Sequence, residues 1–428
     1  MTIDMAHGLA TSLRRLEALV RRPAGVPPRR FRRVGVLGAG LMGGGIALVA
    51  ARAGLDVVLL DIDAAAAERG RARLRRQAEA WAASGETDGA DAVLDRITPS
   101  GDYRDLAGAE LVVEAVFEDR AIKAEAVRRA EAVLAPDAIM ASNTSTLPIT
   151  GLAAASIRPD RFIGLHFFSP VPRMRLLEMI RGERTSDATL AEAMDFAALI
   201  GKTPIVVRDS RGFYTSRVIM TYQSEAFTML AEGVDPAAIE QAGLDAGMPL
   251  PPLALADVVG LDLIHQINRQ TFADTGTPPG DAERVVESMV ERFGRPGKKA
   301  ARGFYDYPEG GGRHLWPALA GHFPTRAPQP EPTELRDRLL GRQALEAARC
   351  LEERVIEHPA EADVGALLGW NFAPQTGGPL SSIDQTGVGT FVRRYDALAE
   401  RRGERFRPNA LLRAMANRGE RFYADVAS

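Results

Sequence analysis

Little in this 428-residue chain points to an oxidising compartment, a nucleic acid or a membrane. It has one cysteine, Cys350, so no internal disulfide can form. Cys350 lies in an apolar helical pattern and reads as a small buried hydrophobe rather than a catalytic thiol. Lysine and arginine number 53 against 56 acidic residues, a net charge of −3. Without a basic excess, neither a nucleic-acid partner nor an anionic membrane surface is expected. No apolar run reaches the roughly eighteen residues of a membrane span. The N-terminal stretch lacks the apolar core of a secretory signal, because Arg14, Arg15 and Glu17 interrupt it. No metal is expected, and a soluble, cytoplasmic protein is. What is present, 46% hydrophobic and 25% charged residues, suits a globular protein too long for one ordinary core.

The most informative stretch runs from Arg33 to Asp61. Val34-Gly35-Val36-Leu37 is an apolar run of strand length that meets Gly38-Ala39-Gly40-Leu41-Met42-Gly43. Ile46, Val49 and Ala50 then recur at helical spacing, and a second apolar run, Val57 to Leu60, ends on Asp61. In such a strand–turn–helix–strand unit Gly38 permits the tight turn, Gly40 lets the backbone approach a pyrophosphate, and Gly43 allows close helix packing. The helix start offers N–H groups to phosphates. Asp61 stands where a carboxylate accepts hydrogen bonds from ribose hydroxyls and repels a ribose phosphate, so NAD is favoured over NADP.

Residues 1–30 show Leu9, Leu13, Leu16, Leu19 and Val20 at helix-like spacing, followed by a Pro-rich stretch, and predict a docking helix and a stiff linker. Residues 62 to about 100 read as helical. Within them Arg69, Arg71, Arg73, Arg75 and Arg76 form a solvated face or attract a phosphate-bearing substrate. Leu111 to Val116 is the next buried strand, with Glu118 and Lys123 at its carboxyl end, where doubly wound sheets place ligands. Ala138 to Ala141 leads into Ser142-Asn143-Thr144-Ser145-Thr146, and Phe162 to Leu165 into His166-Phe167-Phe168-Ser169-Pro170. Further strands are predicted at Leu176 to Ile180 and Pro204 to Val207. The composition then turns helical.

An internal repeat is visible in that helical half. Pro252-Leu253-x-x-x-Asp257-x-x-Gly260 recurs as Pro379-Leu380-x-x-x-Asp384-x-x-Gly387, with Glu225-Ala226 and Glu346-Ala347 at matching positions upstream. Two copies of one unit, packed about a pseudo-twofold axis, are expected. Asp257 and Asp384 read as capping or buried hydrogen-bonding groups, and no chemistry is assigned to them.

His166 ends a predicted strand on the cleft side of the sheet, and Glu178 on the next strand reaches its imidazole if the two strands pair. A carboxylate there fixes the tautomer and raises the ring's basicity, so a neutral imidazole can take a hydroxyl proton while a hydride leaves the same carbon. Ser145 can hydrogen-bond the reacting oxygen.

Together the motifs GAGLMG, Val113-Glu114-Ala115-Val116 with Glu118 and Lys123, SNTST, GLHFFSPV and GKTPIVV resemble the 3-hydroxyacyl-CoA dehydrogenases. The dehydrogenase part of the multifunctional fatty-acid oxidation alpha subunits is especially similar, from about Arg33 through the second helical repeat. The resemblance implies His166 as base paired with Glu178, and Ser145 contacting substrate and cofactor. It also implies Gly38, Gly40, Leu41, Met42, Gly43, Asp61, Glu118, Lys123, Ser169 and Lys299 around NAD. Three departures stand out. Ser216 replaces the family's usual asparagine and is expected at the substrate; Met248-Pro249-Leu250-Pro251-Pro252 has proline where glycine is common; and a stand-alone dehydrogenase without the hydratase domain of the multifunctional members is expected, residues 1–30 resembling that domain's trailing linker helix.

The expected architecture is an α/β Rossmann-type NAD-binding domain, residues 31–212, followed by two all-α domains, 213–310 and 334–428, joined by a linker, 311–333, and related by the repeat. The expected activity is NAD-dependent oxidation of a (3S)-3-hydroxyacyl-CoA to the 3-oxoacyl-CoA. The alternatives are an NAD-linked hydroxyacid or sugar-acid dehydrogenase, and a catalytically weak scaffold subunit. Expected partners are the acyl-CoA substrate, a separate enoyl-CoA hydratase or thiolase, and a second copy in a homodimer.

Overall fold

A computed structural model describes residues 2–19 and 22–423. Val20, counted in the N-terminal helical spacing, lies outside them. The chain forms two compact units, one made of Arg14–Thr215 with Arg354–Gly369, the other of the remaining described residues.

The first unit is built on an eight-stranded sheet in the order β3-β2-β1-β4-β5-β6-β7-β8. Its strands are β1 (Arg33–Leu37), β2 (Asp56–Leu60), β3 (Ile97–Ser100), β4 (Leu111–Glu114), β5 (Ile139–Ser142), β6 (Phe162–Phe167), β7 (Leu176–Arg181) and β8 (Thr203–Arg208). All neighbours pair in parallel except β6 and β7. The central strands are buried on both faces, which is why they read as continuous apolar runs rather than alternating ones. Strand order reverses between β1 and β4, and the crevice at such a switch point is where open α/β sheets take their ligands.

Two features of this unit differ from the expectation. Residues 97–100, expected within a helical stretch, form the edge strand β3, where Pro99 is tolerated because only one side of the strand is paired. Residues 354–369, expected inside the second helical domain, belong to the sheet unit because they cover the opposite edge. There Arg208 N–H donates to Val355 O (2.8 Å) and Val206 N–H to the Glu361 carboxylate (3.1 Å). Edge amides that would otherwise template foreign pairing are thereby satisfied. The N-terminal stretch continues helical to Leu19, after which Arg22 pairs with Asp195 and Arg29 with Glu192.

The second unit is mainly helical, with Thr215–Ala231 and Pro332–Glu352 its longest helices. It holds ion pairs, among them Arg338, fully buried against Glu225 (2.6 Å), and the half-buried pair of Arg217 with Glu346 (2.5 Å). The expected linker carries a short strand, His314–Leu315, paired with Tyr305–Asp306, and a helical turn, Leu319–His322.

Candidate active site

The glycine turn after β1 shows why each glycine is there. Gly38 has φ +93°, and a Cβ on it would stand 2.7 Å from Ala115 O; a Cβ on Gly43 would stand 1.8 Å from Gly38 O. Gly40 is exposed and a Cβ there would meet nothing within 4 Å, so the face it leaves bare is open to a ligand. No side chain caps the helix Leu41–Arg52 that starts at this turn. Leu41 is exposed and Met42 half-buried beside it. Asp61, just beyond β2, accepts from Ala39 N–H (2.6 Å) and Ile62 N–H (2.7 Å), which ties the acid to the turn. An open cradle of backbone, an uncapped helix start and an adjacent carboxylate fit a dinucleotide.

Beside it, Glu114 at the end of β4 is fully buried, with both oxygens hydrogen-bonded. One oxygen takes Lys123 Nζ (2.8 Å) and Val116 N–H (2.8 Å), and the other takes the Ser142 hydroxyl (2.7 Å). Lys123 also reaches Glu118 (3.1 Å). Glu118 in turn accepts from the Thr144 hydroxyl, from Ser145 N–H (3.3 Å) and from the Thr146 hydroxyl (3.4 Å). Lys123 is therefore buried with its charge spent on two carboxylates, and any bearing it has on a cofactor passes through Glu118 and the Ser142–Thr146 loop. Ser145 stands half-buried in that loop.

The antiparallel pairing of β6 with β7 puts His166 directly opposite Glu178. Nδ1 lies 2.8 Å from Oε2, the histidine is 7% exposed and the glutamate not at all. A carboxylate at Nδ1 holds the proton on that nitrogen and leaves Nε2 as the basic one. The Phe168 ring packs at 4.5 Å from the imidazole and that of Phe213 at 6.2 Å. Asn143 accepts from Phe167 N–H (2.9 Å) and so holds the strand end next to His166. Glu178 Oε1 accepts the successive N–H groups of Tyr214 and Thr215, each at 2.9 Å, and Oε2 also takes the Thr215 hydroxyl (2.5 Å). Those two amides converge because Gly212 (φ +73°) and Phe213 (φ +51°) turn the chain through the left-handed region. For a buried phenylalanine that conformation costs on the order of 1–3 kcal/mol, a strain found where a backbone must aim donors.

Of the other predicted residues, Ser169 is exposed just past β6. Ser216 and Lys299 belong to the helical unit, Ser216 half-buried near the start of the helix Thr215–Ala231, Lys299 exposed on the turn Lys298–Ala300. Asp257 accepts Phe304 N–H (2.8 Å), Tyr305 N–H (2.9 Å) and the Tyr307 hydroxyl (3.0 Å), and burial pushes its pKa up to about 6. Asp384 accepts Phe422 N–H and Tyr423 N–H at 3.0 Å each. Both act as backbone anchors. Cys350 is buried. Among the described residues no cluster of three or more metal-binding side chains occurs.

Glu114, Asn143 and Thr215 carry structure at the site without having been assigned a role from sequence. An acid inside the apolar run Leu111–Val116 was a legible signal, since a carboxylate there needs a partner. Asn143 and Thr215 gave none, because their partners lie far along the chain.

Residues 33–210 match the NAD-binding domain of the 3-hydroxyacyl-CoA dehydrogenases, and residues 212–307 match the C-terminal domain of the same enzymes. Over 405 residues the chain is 36% identical to a fatty acid oxidation complex subunit alpha from Shewanella amazonensis, covering 92% of this chain and 57% of that protein. The chain thus spans little more than half the length of that relative. Among solved structures it is similar to 3-hydroxybutyryl-CoA dehydrogenase from Escherichia coli, with TM-score 0.77 and 26% identity over 91% of this chain and 99% of that one. It is also similar to (S)-3-hydroxybutyryl-CoA dehydrogenase from Ralstonia eutropha, with TM-score 0.62 and 37% identity over 65% of this chain and all of that one.

Proposed function

The chain belongs to the 3-hydroxyacyl-CoA dehydrogenase family, and we propose that it oxidises a (3S)-3-hydroxyacyl-CoA to the 3-oxoacyl-CoA with NAD, in fatty-acid β-oxidation or related acyl-CoA metabolism. The observation that carries this reading is the His166–Glu178 pair, held at 2.8 Å in the same sheet as the open glycine turn. NAD, when bound, supplies the hydride acceptor. The residues to hold it are Gly38, Gly40, Leu41, Met42 and Gly43 at the pyrophosphate and Asp61 at the adenosine ribose. Glu118, backed by Lys123, is assigned with Ser145, Ser169 and Lys299 to the rest of the cofactor.

In this mechanism Nε2 of His166 removes the 3-hydroxyl proton, and Glu178 stabilises the imidazolium that results. Ser145 donates to the developing alkoxide, an interaction that gains strength as charge accumulates. Ser216, with a shorter side chain than asparagine and a single hydrogen to donate, positions the substrate more loosely or through a water.

The helical unit, on this reading, holds two copies of one fold. Arg217 and Glu225 have the same spacing as Arg338 and Glu346, and the pairs are exchanged: Arg217 binds Glu346 while Arg338 binds Glu225. Reciprocal contacts of that kind are what a two-fold axis produces. Asp257 and Asp384, each anchoring a Phe-Tyr pair of backbone amides, support the same relation. A separate hydratase or thiolase is the partner class, in keeping with the oxidation-complex name of the Shewanella relative. No helix among the described residues is long and apolar enough to cross a membrane, and a cytoplasmic setting follows from the proposed metabolism.

The test is NADH formation with 3-hydroxyacyl-CoA substrates of increasing chain length, run beside free 3-hydroxy acids. Turnover of the thioesters is expected. Turnover of free acids alone would replace this reading with a hydroxyacid dehydrogenase, and NAD binding without any turnover would replace it with a scaffold.

A further inference from the structure

We propose that Thr215 is a positioning residue of the catalytic pair, fixing through its hydroxyl the plane in which Glu178 meets His166; the proposal rests on His166 being the base. A carboxylate offers about four acceptor sites. Those of Glu178 are filled by Tyr214 N–H and Thr215 N–H on Oε1, and by His166 Nδ1 and the Thr215 hydroxyl on Oε2. Among the described residues Thr215 alone donates to both oxygens. Rotation about the carboxylate's terminal torsion, which is intrinsically soft, swings both oxygens together. The two amides resist it at Oε1, and the Thr215 hydroxyl resists it at Oε2, beside the bond to His166. Oε2 is the atom that orients the imidazole, so what Thr215 restrains is the direction of the Nδ1 bond and, through it, the aim of Nε2.

The surroundings keep the hydroxyl in place. Thr215 is 1% exposed, so bulk solvent does not compete for its proton. The turn that carries it is pinned from behind, where the Tyr214 hydroxyl donates to Ala362 O (2.9 Å). Gly365 leaves room for the Tyr214 ring, since a Cβ there would stand 3.0 Å from it. Gly369 faces the Thr215 methyl, which a Cβ on that glycine would approach at 4.0 Å. The methyl and the hydroxyl thus have separate neighbours, and substitution can remove one while keeping the other.

The experiment compares Thr215→Val, which keeps the shape and deletes the donor, with Thr215→Ser, which keeps the donor and deletes the methyl. Thr215→Ala repeats the deletion if the valine variant does not fold. The valine (or alanine) variant is expected to lose about five- to tenfold in kcat, the scale of one typical net hydrogen bond. KM values for NAD and acyl-CoA should stay within about twofold, and the serine variant should recover most of the rate. A purely packing role predicts the reverse order, with serine impaired and valine intact, and would overturn the proposal. So would equal kcat in all variants, or equal losses in valine and serine. His166→Gln is the reference: if it stays active, the reading of His166 as base falls and this proposal with it. If it is nearly inactive while Thr215→Val matches the wild type, only the role of Thr215 falls.

Discussion

Two carboxylates lie fully buried in the sheet, Glu114 on β4 and Glu178 on β7, and both have each oxygen hydrogen-bonded. They differ in the partner. Glu114 closes on Lys123, itself buried, so the pair is a fixed ionic strut between a strand end and the helix Arg120–Glu131. Glu178 closes on an imidazole, whose second nitrogen is left to act as a base. Equal burial, with hydrogen bonds at both oxygens of each, therefore gives rigidity in one place and chemistry in the other. What separates them is whether the partner can change its charge.

Substitutions can break that contrast. The largest effect is expected from His166→Gln, which should lower kcat by about 10²–10⁴-fold, the usual worth of a positioned base, while NAD affinity stays nearly unchanged. Stopped-flow or steady-state NADH kinetics with NAD titration check both halves. Lys123→Met should act the other way round. It leaves Glu114 buried without its cation, a change typically worth about 3–5 kcal/mol of stability, read from denaturant midpoints. Adding Glu114→Gln to it should return part of that loss. If Lys123→Met proved neutral to stability, the strut would be no strut.

Smaller effects sharpen the roles around the pair. Asp61→Ala removes the acid assigned to the ribose and should weaken NAD about ten- to a hundredfold while narrowing the discrimination against NADP. Isothermal titration with both cofactors measures it, and unchanged selectivity would take Asp61 away from the ribose. The smallest change is expected from Ser216→Asn, about 1 kcal/mol in kcat/KM, expressed as a shift between short and long acyl-CoA substrates with NAD affinity constant. Identical kinetics at every chain length would remove Ser216 from the substrate.

Much of this was legible from one strand of reasoning. Gly38, Gly40, Gly43 and Asp61 carry their meaning in local spacing, because a tight turn, a close backbone approach and a strand end are properties of neighbouring residues. The strands β4 to β8 were visible as buried apolar runs. β3 was not, since four residues containing Pro99 show no period, and it was the paired edge of β2 that made them a strand.

The sequence alone determined the strands β1, β2 and β4 to β8 in their order, the glycine turn, and the presence of a histidine and a glutamate able to meet if their strands paired. Only the tertiary structure decided that they do, because register is a property of two segments and not of either one. It also decided that Lys123 is buried between two carboxylates, that residues 354–369 cover the edge of a sheet far earlier in the chain, and that Thr215 closes the last acceptor site of Glu178. Each depends on partners brought together from distant parts of the chain, whose proximity is set by packing and leaves no local period to read.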